Sequence, residues 1–537
     1  MDKNPRRTVG HVGMADPFKL IGCRDFEEPI QRIRVTSRYC QRRDRLNPEG
    51  APMRDVALSG VPGPRRRRWP LSRTALAALA AFGLSGCVLN TEHPEALLDV
   101  PGAYRAAPRH PDSALPTMDW WHGFRSKELT TLIEQAQLSN LDIAVAVAQI
   151  VQADAQAGIA GAPLLPNVNG MASAERLREA TQGRAATSSQ FNLGLSASYM
   201  LDFWGKNRAT LYAAEKNALA SRFNHEVVAL STVVSVANTY FQILAAQDQI
   251  RVARQNLAAA NRISGLVQKQ FTAGTASQLD VSQQAALVAQ VRASIPPLEV
   301  TRRQNIAALA VLVARSPSNF DVPGQSLSRI SVPRVTPGLP SELLTQRPDI
   351  RQAEAELTAS NFSVEAARAA FFPQIQLTGT TGLQSTALAS LFGPGAWYYT
   401  LVASLSQPIF DGFQLKNELK QAKGVQLQDL QAYRKAVLSG FADVEIALVT
   451  LEQTTIQMRL QNDVVVNSRK AFQVAEAQLS GGTVNLITVL QTEQTLFTAE
   501  STLVQIRLNR LLAATSLFQA LGGGWDKPVP QTATATQ

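Results

Sequence analysis

The chain of 537 residues is 45% hydrophobic and 18% charged, enough apolar material to bury a sizeable core, so composition excludes a disordered chain. Its net charge of +10 suggests an anionic partner, yet residues 1–86 hold 17 Lys and Arg against 8 Asp and Glu. The rest carries 35 against 34, so a nucleic-acid-binding function loses its electrostatic support.

Residues 1–52 precede Met53, which sits a normal signal-peptide distance before the basic cluster Arg65-Arg66-Arg67-Arg68 and Arg73. Translation is therefore expected to begin at Met53, with 1–52 an upstream extension outside the mature fold. Residues 53–86 read as a signal peptide, with a basic n-region, a short apolar run from Thr74 to Gly86 and a small-residue cleavage site. That run is too short to span a bilayer comfortably. Its end, Leu84-Ser85-Gly86-Cys87, resembles a bacterial lipobox. The resemblance implies that Cys87 becomes the new N-terminus and carries covalent diacylglycerol and N-acyl lipid, with no other cofactor. Because Val88 rather than Asp follows, it also implies sorting to the outer membrane. Several acyl chains anchor far better than one, since each buried methylene adds about 0.8 kcal/mol. Cys23 and Cys40 lie upstream of the cleavage point, so the mature chain keeps one cysteine and no internal disulfide. Residues 87–115 then form a lipid-anchored linker, and 526–537 a flexible tail.

The remainder is organised by an internal repeat, with copies at 116–330 and 331–525. Asp142-Ile143 matches Asp349-Ile350, Pro166 matches Pro373, and Trp204-Gly205 matches Asp411-Gly412 in one register. One residue later in register, Gly274-Thr275 matches Gly482-Thr483. Each copy has the same order: a helical segment, two alternating segments, a very long helix, a Gly-Thr turn and more helix.

The alternating segments switch apolar and polar residues with period 2. Phe191, Leu193, Leu195, Ala197, Tyr199 and Leu201 oppose Asn192, Gly194, Ser196 and Ser198; Trp397, Tyr399, Leu401, Ala403 and Leu405 oppose Tyr398, Thr400, Ser404 and Ser406. A partner runs through Ile375, Leu377 and Gly379, and a less regular one lies near Val168 to Ala174. This predicts four strands of roughly ten residues, the length that crosses a bilayer when tilted. Alternation alone also suits a soluble sandwich.

From Lys206 to Thr272 there is no proline, and Phe223, Val227, Leu230, Val234, Ala237, Phe241 and Leu244 recur in steps of 4 and 3, a coiled-coil seam. Gln414 to Leu479 matches it. Each helix would reach about 100 Å and needs lateral support. The helical run after Asp280 is expected to break at Pro296-Pro297 into two shorter helices. Four strands in lipid would leave two unpaired edges, so the sheet must close with strands from other copies. Two copies give eight strands and three give twelve; the pattern does not choose.

Three segments carry a specific resemblance: Leu339-Pro340-Ser341-Glu342-Leu343-Leu344, the run from Gln346-Arg347-Pro348-Asp349 to Glu354, and Ala367-Arg368-Ala369-Ala370-Phe371-Phe372-Pro373. With Pro408-Ile409-Phe410-Asp411-Gly412, they resemble the TolC-type outer-membrane factors of tripartite RND-type efflux pumps, in the lipoprotein branch called NodT-type. The family implies a mixed α and β membrane protein: a homotrimer with a twelve-stranded transmembrane β-barrel continuous with a long periplasmic α-helical barrel. It implies a passive conduit for small toxic compounds, working with a periplasmic adaptor and a proton-driven inner-membrane transporter. The turns at Gly274-Thr275 and Gly482-Thr483 fall where the family places its periplasmic tip. Asp280 matches a tip position that holds the closed entrance in some relatives, and reads equally as a helix N-terminal acid. Thr488 and Gln491 stand where well-known members carry acidic rings.

Arg347, Pro348 and Asp349 read as an exposed turn with Asp capping the next helix, and Trp120, Trp121 and Phe124 as packing aromatics. No paired-His metal spacing, phosphate-cradling loop or nucleophile elbow is present in the sequence, which points away from an enzyme. An outlet for secreted polypeptides would share this fold, whereas a poreless lipoprotein scaffold would need no amphipathic strands.

Overall fold

The computed structural model describes residues 96, 98, 100–105, 119–181, 184–333 and 338–524. The leader, Cys87, most of the linker and the tail lie outside the described residues. From Trp120 onward the order is a 3-10 turn (Trp120–Phe124), α1 (Lys127–Ser139), α2 (Leu141–Gly161), β1 (Asn167–Thr181), β2 (Arg184–Leu201), α3 (Lys206–Thr272) and α4 (Gln278–Leu312). It continues with α5 (Pro340–Gln346), α6 (Pro348–Ala369), β3 (Gln374–Ser385), β4 (Trp397–Ser406), α7 (Gln414–Ser480) and α8 (Leu486–Ala520). The succession helix, hairpin, long helix, helix thus occurs twice.

Both long helices begin and end within a residue of where the sequence places them. They start at 206 and 414, so the residue that shifts the register lies in the strand-to-helix joint. There Gly205 and Phe413 both take left-handed backbone, at φ 78 and 68. An aspartate at each joint satisfies the first free amides: Asp202 accepts from the N–H groups of Asn207 and Arg208, and Asp411 from those of Phe413 and Leu415.

Helices α2, α3, α6 and α7 pack side by side in that order, with α4 against α3 and α8 against α7 and α3. Burial on α3 is broader than a coiled-coil seam: Val233, Val234, Val236, Ala237, Tyr240, Phe241, Ile243 and Leu244 are all buried. The reason is that α1, α4, α6 and α8 meet α3 on several sides. Trp120, Trp121 and Phe124 are buried in this mid-length core, Trp120 stacking on Phe518 at 4.6 Å and Phe124 lying 5.2 Å from Phe241. They are packing aromatics, as expected.

Two expectations fail. Helix α4 runs unbroken through Pro296 and Pro297. It lies along α3, and just before the pair the Ser294 hydroxyl donates to the Val291 carbonyl at 2.7 Å. Packing therefore outweighs a local cost of about 3 kcal/mol. Second, Arg347 is not in an exposed turn but 9% exposed. Its guanidinium donates to Asp349, to Asp443 of α7 and to the Ala520 carbonyl that ends α8. Burial opposes its charge, and these partners restore it, raising its pKa. Asp349 lies inside α6, where it accepts from the Ile350 N–H rather than capping.

Candidate functional site

The four strands form one antiparallel sheet in the order β1-β2-β3-β4, so β1 and β4 are its open edges. The register sorts side chains into two rows. One face carries Ala172, Leu193, Leu383 and Trp397 on one rung, and Val168 with Ala197, Gly379 and Leu401 on another. The opposite face carries Asn169, Ser196, Thr380 and Thr400, and Ser173, Asn192 and Gln384. On this wet face the Asn192 amide donates to the Ser173 hydroxyl at 3.2 Å. The greasy face is bare: Leu401 is 80% exposed and Leu405 68%. An apolar face of that kind, uncovered among the described residues, suits lipid.

Aromatic side chains mark both ends of this face. Trp397 and Tyr399 sit at the end away from the helices, 5.3 Å apart. At the helical end, Trp204 stacks on Phe372 at 4.7 Å and donates to the Pro373 carbonyl, with Phe203, Phe410 and Phe413 exposed beside it. Strand β4 opens on the outer band and runs ten residues towards the inner one, about 25 Å when tilted as barrel strands are.

At the other end of the long helices the two tips are near copies. Gly274 and Gly482 have φ 76 and 71. The next amides, of Thr275 and Thr483, reach back to the carbonyls of Gln270 and Gln478, both at 2.9 Å. This is the glycine-terminated helix end that lets the chain reverse. The Gln270 amide donates to the Leu479 carbonyl at 3.2 Å, tying the two tips together. Behind them Ile263, Val267, Phe472, Leu479, Leu486 and Val489 form a small core.

The helices that leave the tips differ. Ser277 caps α4 and Asp280 closes the capping box, accepting from the Ser277 N–H at 2.8 Å. That amide, then the Ser277 hydroxyl, hold the Asp280 carboxyl below the usual range. Asp280 is thus a helix-start acid in this chain. At the second tip Asn485 caps α8 by accepting from Thr488 N–H.

Sequence reasoning missed a further cluster beside the tip core. Arg262 of α3 bonds Glu476 of α7 through both oxygens, at 2.7 and 3.1 Å. Glu493 of α8 is 2% exposed, and neither of its oxygens has a hydrogen-bond partner. Burial, then repulsion from Glu476, push its pKa up to about 7 against the pull of Arg262. The signal was present: Glu493 occupies the apolar stripe of Leu486, Val489, Leu490 and Leu496. Among the described residues no group of three or more His, Cys, Asp or Glu has metal-holding geometry.

This paired architecture has known counterparts. The model of the outer membrane efflux protein family matches residues 132–315 and again 339–523. The chain belongs to the outer membrane efflux protein family. It is 37% identical over 466 residues to the pyoverdine export outer membrane protein OpmQ of Pseudomonas aeruginosa, covering 85% of this chain and 98% of that one. It is 30% identical over 458 residues to the cation efflux system protein CusC of Escherichia coli O6:H1, covering 83% and 98%. Among solved structures, the open state of the MtrE outer membrane channel of Neisseria gonorrhoeae superposes with a TM-score of 0.71 at 29% identity, covering 81% and 97%. The protein is therefore an outer-membrane channel component of an efflux system. The two matched segments fall one in each expected repeat, and Gly274, Thr275, Asp280, Gly482 and Thr483 all lie within them.

Proposed function

We propose that three copies of this outer membrane efflux protein close into one conduit, a twelve-stranded barrel in the membrane above a barrel of twelve helices. The observation that carries this reading is the pair of open edges, which coincide in sheet and helices. Strand β1 and helix α2 bound one side of the unit, and β4 and α7 the other. Because the strands alternate in direction, β4 of one copy meets β1 of the next antiparallel. Leu141, Val145, Val151 and Ile159 on α2, and Leu438, Ile446 and Val464 on α7, are exposed and need cover. Two copies would close an eight-stranded barrel, whose interior side chains fill, whereas twelve strands leave a lumen. The recurrence of helix, hairpin and long helix supports a tandem duplication as its origin.

The anchor fits the same frame. Arg434 Nε donates to the Ala96 carbonyl at 2.8 Å, and Arg105 N–H to Glu445, so this segment follows α7 away from the sheet. Arg434 is about 30 Å along α7 from Gln414. The nine residues from Cys87 to Ala96 reach about 31 Å when extended, which brings a lipid on Cys87 to the barrel edge. An open groove of about 610 Å³ between α3 and α7, lined by Arg262, Lys269, Gln473 and Glu476, offers an adaptor a seat above the tips. The inner-membrane partner is a proton-driven transporter and the cargo small toxic compounds; relatives named for pyoverdine export and cation efflux support an efflux cargo.

Mass measurement of the full chain in detergent, followed by planar-bilayer conductance, tests the assembly. Trimers that conduct are expected; a conducting dimer or a silent trimer would refute it. A susceptibility panel on a deletion strain, with and without the restored gene, then names the cargo.

A further inference from the structure

The first hairpin is longer than the second, and its extra length lies at the end away from the helices. Strand β2 pairs with β3 only from Phe191 onward, at Ser385. The β1–β2 ladder continues past that rung from Glu175↔Gln190 to Thr181↔Arg184. A two-stranded ribbon therefore stands beyond the sheet. The sequence pattern predicts an irregular strand near Val168 to Ala174 and nothing beyond it, because the apolar alternation stops where the ribbon leaves the greasy band.

Alternation sorts the charges of this ribbon by face. Arg176 and Arg178, paired with Ser189 and Thr187, continue the row of Ala172 and Ala174 opposite Leu193 and Phe191, the greasy outer face. Glu175, paired with Gln190, and Glu179 continue the wet row of Ser173 opposite Asn192. Both arginines are exposed, and no ion pair among the described residues involves either. The glutamates point to the opposite face and cannot neutralise them.

Height fixes what they meet. Ala172 shares a rung with Leu193, Leu383 and Trp397, at the aromatic band. Arg176 and Arg178 lie about 14 and 20 Å further along the strand, or roughly 10 and 15 Å along the membrane normal at barrel tilt. Long guanidinium side chains reach back from there into the polar headgroup layer.

We propose that Arg176 and Arg178 form an outward cationic site for the phosphate groups of glycolipid headgroups in the outer leaflet, a site that rests on reading the sheet as a barrel. Residues two apart on one face are about 7 Å apart, and each planar fork takes a phosphate through two N–H groups. The site fixes the depth of the barrel from the side opposite the lipid anchor.

The test compares the full-length trimer with R176S/R178S in detergent, each offered diphosphoryl lipid A or its dephosphorylated form, with bound lipid counted by native mass spectrometry. Retention of the phosphorylated lipid should fall roughly fivefold for each arginine at low salt, while E175Q/E179Q retains wild-type levels. Equal retention by R176S/R178S and the wild type would overturn the site, as would equal binding of the dephosphorylated lipid by the wild type. Complete displacement of lipid A by inorganic phosphate would overturn the lipid assignment. Conductance of the same preparations separates site from barrel. A conducting R176S/R178S that keeps its lipid A overturns the site alone, whereas a wild type that never conducts overturns the barrel beneath it.

Discussion

Replacing Glu493 by Gln changes one buried group in the core behind the tips and should alter how that core responds to pH. Glu493 is 2% exposed with both oxygens unbonded, and its pKa rises from an ordinary 4.5 to about 7, through burial first and Glu476 second. Between those values the native chain holds a proton that the unfolded chain has lost. Stability is therefore full below pH 4.5 and declines as pH rises through 7, by at most about 3 kcal/mol. Hydrogen exchange of the amides from Leu486 to Leu496, corrected for intrinsic rates, reads this as local opening. Between pH 5 and 8 opening in the wild type should grow by up to roughly 100-fold, while in Glu493→Gln it should stay flat. Glu493→Leu should be flat and better protected throughout, because the Gln amide still lacks partners at about 1–3 kcal/mol. Parallel pH curves for the wild type and Glu493→Gln would refute the argument.

Other expectations test other parts of the molecule. Gly274→Val or Gly482→Val forces a β-branched residue to φ above 70 and costs about 1–3 kcal/mol; no atom crowds either site, so trimers should persist while drug resistance falls. Leu401→Arg on the greasy face, in the middle of β4, should cost about 2–4 kcal/mol near the membrane midplane and cut barrel assembly on unheated gels, whereas Ser196→Arg on the wet face should assemble. Arg347→Met takes the guanidinium from Asp349, Asp443 and the Ala520 carbonyl and, because both carboxylates are partly exposed, should lower the thermal midpoint by the equivalent of about 1–3 kcal/mol; Arg347→Lys should not rescue it, since a compact ammonium cannot span the acceptors that Nε, Nη1 and Nη2 reach. Cys87→Ser should abolish metabolic labelling with palmitate yet leave trimers, since closure rests on strands and helices.

What the sequence announced and what it hid divide along physical lines. The ends of α3 and α7 were legible because proline is absent between them and glycine stands at the turns. Three strands were legible because one face of each is apolar; the fourth, near Val168 to Ala174, was less regular because alanine and glycine stand on its greasy row. The proline pair in α4 misled because a local rule was applied to a helix supported along its length by α3. Arg347 misled because proline and aspartate signal a turn, while its burial depends on α7 and α8, far away in sequence. The ribbon beyond Ala174 was invisible for a simpler reason: outside the greasy band neither face must be apolar, so period 2 leaves no trace. Glu493 was legible as a lone acid in an apolar stripe, but its missing partners are a property of packing.

The two tips share one backbone form and differ in their charged side chains. Their glycine turns and returning hydrogen bonds are alike, so the reversal itself does not distinguish them. The difference lies in the acids. Asp280 is exposed and bonded to Ser277 by two hydrogen bonds, so it remains charged well below neutrality and holds the start of α4. The matching position, Thr488, has no charge, and the second hairpin instead carries Glu493, buried beside Glu476 and the Arg262 clasp between α3 and α7. The Arg262 pair is half open to solvent and contributes less than about 1 kcal/mol by itself, and an ionised Glu493 sets a second carboxylate beside Glu476 in the field of the same guanidinium. A charge change near neutrality at this tip therefore falls on α7 and α8, while the α3–α4 turn stays fixed by its cap.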